Sequence, residues 1–487
     1  MVRCLQAKEI IPEELPRRGK ILITPGKRSA TRGKDKKTNN EQRTTNINYK
    51  RQTMNNTNQY VAAVDIGTTK IVAIIGIKNE NGKLEILSLS KALSKGVKRG
   101  VVLNIEETVQ AIQTTVEDVQ LRSGIKFSDI YVGIAGQHIR SMRNRGYINR
   151  DSSEEEITQD DIIKLIDDMH KIPIDVGEEI IHVLPQNFIV DNETGVKNPV
   201  GMSGTRLEAN FHIVIGQVAS AKNIGKCMNR VGLEINELIL EPLASAEAVL
   251  TDDEKEAGVI LVDIGGGTTD VAVYYDNIIR HTAVIPFGGN VISKDIKEGC
   301  AILHRQAESL KIQFGSALGD IAPDDKVVTI PGISGREPKE ISFKSLAYII
   351  QSRMEEIIDA VIFEVENSGY YDKLAAGIVL TGGGALLRHL PQLVKFKTGL
   401  DVRIGYPNEH LVSDVSEEIN QPMFSTSIGL ILKGYEYMEH KNRLEKIEHE
   451  DSKVTGKQKD ETREKGRLFD RWKQTLTDIF AEKDAEM

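Results

Sequence analysis

The sequence predicts an α/β protein built from two like domains, the first carrying a smaller α/β insertion. Three observations lead there. From Gly258 to Tyr274 an apolar run reaches Asp263, turns on Gly265, Gly266 and Gly267, passes Thr268 and Thr269, and returns as alternating β-branched residues. That is strand, tight turn, strand. An echo lies upstream at Tyr60 to Ile75, where Val64, Asp65, Ile66 and Gly67 are again followed by two threonines, Thr68 and Thr69, then Lys70 and an apolar strand. Between about residues 133 and 214 the patterning changes, with an acidic stretch at 152–161 and a Gly/Pro-marked turn at 198–207.

One such hairpin alone is more simply a plain glycine turn; the repeated pair is far more specific. Glycines let the turn take positive φ and keep Cβ atoms out of a ligand's way. Turn amides form an anion-binding concavity. Asp65 and Asp263, at the strand ends, suit a hydrated Mg²⁺. Two phosphate-gripping hairpins in like domains therefore predict one nucleotide between them. Gly67, Thr68, Thr69 and Lys70 form the first phosphate stretch, and Gly265, Gly266, Gly267, Thr268 and Thr269 the second.

The chain has 487 residues, 28% of them charged and 40% apolar, an ordinary soluble composition. Residues 1–53 carry 14 Lys/Arg against five Asp/Glu, so a basic arm of +9 precedes a body of −17. An acidic body argues against nucleic acid as a partner. Cys4, Cys227 and Cys300 are scattered, which supports neither a disulfide framework nor a zinc site. No run approaches the ~20 apolar residues that span a bilayer, and no secretory signal opens the chain.

In chain order, residues 1–59 read as disordered by composition. Met54 is a candidate true start; the alternative is a basic arm touching nucleic acid or lipid. Lys83–Ser90 reads as a third strand, Ile105–Ser123 as a helix and Asp129–Ala135 as another strand. In the insertion, Ile157–His170 reads as a helix, and Glu179–Val190 and Glu208–Ile215 as strands. His182 and His212 have no metal-ligand spacing and read as packed or surface residues. Ala221–Val231 is an amphipathic helix. Glu241 precedes Pro242 at a strand-to-helix junction, where it either orients a water in the cleft or simply caps a helix start. Ile278–Pro286 reads as a strand, and Val291–Glu298, His304–Phe314 and Phe343–Ser368 as helices. Glu308 and Lys311 share a helix face, either for a ribose and base or as a surface ion pair. A third glycine cluster, Gly382, Gly383 and Gly384, follows an apolar strand ending at Thr381, with a helix expected directly after it. Neither a Walker P-loop nor GxGxxG is present.

The body ends near Met438, and a charged linker runs to about 465. On a helix, Leu468, Phe469, Trp472, Leu476, Ile479 and Phe480 fall within one arc of roughly 120°. Such a helix beyond a polar linker reads as an interfacial membrane anchor, the alternative being a partner's groove. Residues 466–480 carry a net charge of only +1, so burial must dominate: each large side chain contributes about 1.5–3 kcal/mol when fully buried.

The three glycine-marked stretches, in this order, resemble the actin/Hsp70/sugar-kinase superfamily, in which two ribonuclease-H-like domains hold ATP and Mg²⁺. The segments His182–Gln186, Asn198–Leu207, Asp263–Tyr274, Arg280–Pro286 and Ala375–Gly384 narrow the resemblance to the bacterial FtsA cell-division family, over about residues 60–437. The resemblance implies an actin-like fold in which the usual second small subdomain is replaced by the insertion. It also implies filaments on the inner face of the membrane at the septum, tethering of FtsZ through its C-terminal tail at a small subdomain near 291–375, and recruitment of later division proteins. By the same resemblance Gly382–Gly384, Glu308 and Lys311 hold adenosine, residues 376–438 close the second domain, and the terminal helix targets the membrane. Glu241 would polarise water for at most weak ATPase activity. A sugar kinase would need an acceptor pocket with its own base, and an Hsp70 chaperone a substrate-binding β-domain; neither has a motif here. The long N-terminal arm departs from the family pattern.

Overall fold

The computed structural model describes residues 21–22, 59–150, 155–332, 334, 336–412 and 417–439. The basic arm apart from Ile21–Leu22, the linker beyond 439 and the amphipathic segment 466–482 lie outside the described residues. Strand β1 is Ile21–Leu22. The first lobe then runs β2 (Tyr60–Ile66), β3 (Lys70–Lys78), β4 (Leu84–Leu93), the short β5 (Val97–Lys98) and β6 (Val101–Val102), helix α1 (Ile105–Ser123) and β7 (Asp129–Ile134). Next come β8 (Arg140–Asn149), α2 (Gln159–Met169), β9 (Glu178–Val190), β10 (Glu193–Val196) and β11 (Arg206–Gln217). The chain returns through α3 (Val218–Val231), β12 (Glu234–Leu240), α4 (Glu241–Val249) and α5 (Asp252–Ala257).

The second lobe begins with β13 (Val259–Ile264), β14 (Thr269–Tyr275), β15 (Ile278–Ile285), α6 (Gly289–Cys300) and α7 (His304–Phe314). It continues with β16 (Val327–Ile330), β17 (Lys339–Ser342), α8 (Phe343–Ser368), β18 (Gly377–Thr381), α9 (Leu390–Thr398) and β19 (Val402–Ile404). A last helix, α10, covers 425–439.

The two lobes repeat one topology. The first sheet is ordered β12-β7-β2-β3-β4 and the second β19-β18-β13-β14-β15. In each, a hairpin and a third antiparallel strand are joined to two parallel strands. The parallel partners β13 and β18 are buried along their whole length, which is why they read as unbroken apolar runs. The insertion is a separate four-stranded sheet, β10-β9-β11-β8, with its own core against α2 around Phe188, Phe211, Leu165 and Ile166.

The helices follow their sequence signals. The Asn104 side chain accepts the Glu107 N–H and opens α1, which ends at Gly124 with φ 72°. Ser342 caps α8, and Gly369, at φ 76°, ends it. Pro242 sits in the first turn of α4, where its missing N–H is no loss. A shared core joins the lobes. It gathers Val61 and Ala63 of β2, Val259 and Leu261 of β13, Ala244 and Ala248 of α4, and Ile428 and Ile431 of α10. Helix α10 also closes the molecule on its beginning: the Tyr435 hydroxyl lies 2.8 Å from the Gln59 carbonyl, and Lys78 pairs with Glu439 at 2.8 Å.

Four expectations change. Ile21–Leu22, within the arm read as disordered, pairs in parallel with Val328–Thr329, because two adjacent strand-forming residues meet an open edge. Gly133 and Ile134 still belong to β7, so the insertion opens after that strand. No α-helix starts on the third glycine cluster; residues Gly383–Leu386 form a 3-10 turn and α9 begins at Leu390, after Gly382 takes φ 81°. The strand β8 carried no sequence signal, since its Arg and Asn residues alternate without an apolar face of their own.

Candidate functional site

All three glycine turns converge where the two sheets face each other. The turn of the second hairpin packs on the threonines of the first: a Cβ on Gly266 would come 2.3 Å from Thr69 Cγ2, and one on Gly267 2.5 Å from Thr68 Oγ1. Thr68 Oγ1 accepts the Gly100 N–H at 3.0 Å. Thr269 donates its hydroxyl to Phe287 O at 2.9 Å. The start of α6 is stitched to the second turn, with Gly289 N donating to Gly265 O at 3.0 Å and Asn290 N to Gly266 O at 2.8 Å. The third cluster closes on the end of β13, since a Cβ on Gly382 would meet Asp263 Oδ1 at 2.2 Å.

Glu308 and Lys311 flank that junction. Lys311 Nζ pairs with Glu308 at 2.8 Å and donates to Gly289 O at 2.8 Å, and Glu308 accepts from Ser293. The pair thus lies beside the second glycine turn and is partly buried rather than a free surface bridge. Lys70 turns toward the second lobe: its Nζ donates to the Met423 carbonyl and sits 4.5 Å above the Phe424 ring.

Four carboxylates share the cleft. Asp263 accepts from Ser245 Oγ at 2.7 Å and Thr426 Oγ1 at 3.1 Å, and Asp65 from Ser427 Oγ at 2.9 Å. The Ser425-Thr426-Ser427 run at the start of α10 was the unheeded signal for these partners. Asp270 was also missed. It sits directly opposite Asp263 in the β13–β14 ladder, and its Oδ1 is buried with no hydrogen-bond partner among the described residues. Burial raises the pKa of Asp65 and Asp263, and Asp270 is pushed well above the carboxylate range by burial and then by Asp263 and Asp65. Glu241 rises well above it too, by burial first and then by Asp65, Asp270 and Asp263. It lies beside these carboxylates, half-buried, with its Oε1 against Gly133 of β7. Burial holds Lys70 below its ordinary value despite Asp65 and Asp263 nearby.

Four carboxylates facing one lysine would carry excess negative charge if all ionised, and a divalent cation would balance it and hold them ionised. An orphaned Asp270 oxygen fits that need. No three His, Cys, Asp or Glu side chains among the described residues group closely enough to chelate a bare ion. A cation here would therefore be held through its own waters, as Mg²⁺ prefers. His182 and His212 are buried and serve packing: His182 Nε2 accepts the Leu240 N–H at 3.1 Å, and His212 bonds Thr282 at 2.8 Å.

The raised Glu241 gives a testable sign. Folding stabilises its protonated form, so that contribution is present at low pH and is lost as pH rises through the raised value. Glu241→Gln cannot ionise. With nucleotide and metal removed, its stability relative to the parent is expected to grow as pH rises above the ordinary Glu value of 4.5, read by urea unfolding. A difference that stays constant with pH would refute the assignment.

A model of the cell division protein FtsA matches residues 260–429, and a model of the SHS2 domain inserted in FtsA matches residues 136–215. The cell division protein FtsA of Pseudomonas aeruginosa is 39% identical over 378 residues, covering 78% of this chain and 90% of that relative. The chain belongs to the FtsA family. FtsA of Neisseria meningitidis serogroup B is 40% identical over 78% of this chain and 91% of its own length, and that of Escherichia coli K12 35% over 77% and 90%. Among solved structures, a PilM–PilN type IV pilus biogenesis complex matches with a TM-score of 0.54 at 14% identity, covering 77% of this chain and 98% of that one. The fold is the actin-like one of the FtsA family, with the insertion as its SHS2 domain. Among the described residues no helix is long and apolar enough to cross a membrane.

Proposed function

We propose that this FtsA-family protein binds ATP with Mg²⁺ between its lobes, assembles into filaments on the inner membrane face at the septum, and ties the FtsZ ring to it while recruiting later division proteins. The observation that carries this is the convergence of three glycine turns on the carboxylates Asp65, Asp263, Asp270 and Glu241 at the meeting of two matched sheets. Gly67–Lys70 and Gly265–Thr269 hold the phosphates. Asp65 and Asp263 hold the metal through water, with Asp270 beside them. The metal would neutralise phosphate charge and fix its geometry. Lys70 has to release the Met423 carbonyl to reach a phosphate. Glu308, Lys311 and Gly382–Gly384 take the adenosine. Glu241 would orient water, and the expected hydrolysis is weak.

The FtsZ tail is assigned to the subdomain at 291–375, and the membrane to Leu468, Phe469, Trp472, Leu476, Ile479 and Phe480. Flotation on anionic vesicles with FtsZ and ATP tests the tether, comparing the full chain, a chain ending at Glu439, and Trp472→Glu. FtsZ is expected to float only with the unmodified full chain. If all three forms float and carry FtsZ, the anchor lies elsewhere, the basic arm being next in line. If the full chain floats and leaves FtsZ behind, the tether is wrong.

A further inference from the structure

Two segments singled out in the sequence take no part in the cleft, yet they face each other. His182–Gln186 lies in β9 of the insertion, and Arg280–Pro286 in and just after β15, the edge strand of the second sheet. The contact is reciprocal. Gln186 Nε2 donates to Ile279 O at 2.6 Å, and Arg280 Nη1 returns a bond to the Gln186 carbonyl at 3.3 Å. Both side chains are only 8% exposed. From β8, Ser141 Oγ donates to Thr282 O at 2.9 Å and Arg143 to Ser368 O, while His212 of β11 bonds Thr282 Oγ1. Leu184 packs at once against the core of the insertion, the core of the first lobe and the core shared between lobes.

The insertion is covalently part of the first lobe. Its entry at Gly136 packs on Gly100, whose N–H is bonded to Thr68 of the phosphate hairpin. It is nevertheless fastened to the second lobe by buried polar bonds onto an open sheet edge. Such an edge must be covered or paired, and the buried bonds of Gln186 and His212, at 2.6 and 2.8 Å, do not stretch by ångströms without being lost. A rotation between lobes must therefore either carry the insertion with the second lobe or strip the cover from β15.

We propose that the inserted subdomain is a clasp between the lobes, fastened at Gln186, Arg280, Ser141 and Thr282, which follows the second lobe and so converts nucleotide-driven lobe rotation into movement of the insertion against the first lobe. The nucleotide half of this rests on the function proposed above.

Spin-label distances on the full chain test it, with Cys4→Ser, Cys227→Ala and Cys300→Ser removing the native thiols. Labels at Thr194→Cys and Glu366→Cys, both exposed positions, span insertion and second lobe, and labels at Thr194→Cys and Leu121→Cys span insertion and first lobe. On adding ATP–Mg²⁺, with binding checked by calorimetry on the same sample, the 194–366 distance is expected to hold and the 194–121 distance to shift. The reverse pattern, or no shift in either with ATP bound, overturns the proposal. Gln186→Ala with the milder Ser141→Ala is expected to broaden the nucleotide-free 194–366 distribution about twofold. Ser141→Ala alone supplies that readout if the double variant does not fold, and an unchanged width overturns the clasp. Should ATP fail to bind at all, the nucleotide reading falls and this width still decides the clasp.

Discussion

Asp263→Ala is expected to bind ATP–Mg²⁺ about 30-fold to 150-fold more weakly than the parent. The carboxylate sits at the end of β13 with Ser245 and Thr426 fixing one oxygen, and Gly382 leaves its other oxygen uncovered by any Cβ. Charge-assisted contacts of this kind contribute on the order of 2–3 kcal/mol, which converts to that factor in affinity. The ligand-free protein is expected to move the other way. Asp263 is one of the neighbours that raise Asp270 and Glu241, so losing its charge relieves repulsion. Asp263→Asn keeps the shape and an acceptor for both hydroxyls. It should melt no lower than the parent without nucleotide, and lose the thermal shift that ATP–Mg²⁺ gives. Affinity equal to the parent by calorimetry would remove Asp263 from the metal site.

Gly429→Ala is expected to cost more than about 3 kcal/mol of stability, at the upper end of overpacking effects. Gly429 lies in α10, where its added Cβ would come 1.8 Å from the Ala244 carbonyl oxygen and 2.3 Å from the Ala244 carbonyl carbon. A side chain in the way could turn aside; a helix backbone cannot. Relief would have to push α4 away from α10, and α4 begins at Glu241. The same change is therefore expected to weaken nucleotide binding although Gly429 is not placed to touch the ligand. Urea midpoints measure the first effect, and a midpoint equal to the parent would show that the two helices are not in this contact.

Much of this was legible before the structure. The hairpins around Asp65 and Asp263 announce themselves by alternation and glycine. Helices α1 and α8 begin and end on capping residues that name their own limits, Asn104 and Gly124, Ser342 and Gly369. What escaped was set by distant partners. Strand β8 has a polar outer face because part of that face meets the edge of another sheet, so its periodicity carries no apolar signal. Asp270 looked like the first residue of a return strand, and only the cross-strand register sets it opposite Asp263. Ser425, Thr426 and Ser427 are an unremarkable hydroxyl run until the chain brings them to carboxylates up to 362 residues away. The helix expected after the third glycine cluster opens at Leu390 rather than on the glycines, because a 3-10 turn at Gly383–Leu386 comes first.

The bond from Tyr435 to the Gln59 carbonyl, with the Lys78–Glu439 pair beside it, fixes the exits of both tails at one corner of the body. Residues 59 and 439 are thus held at neighbouring points, and chain attached to one meets chain attached to the other at an effective concentration set by tether length, on the order of millimolar.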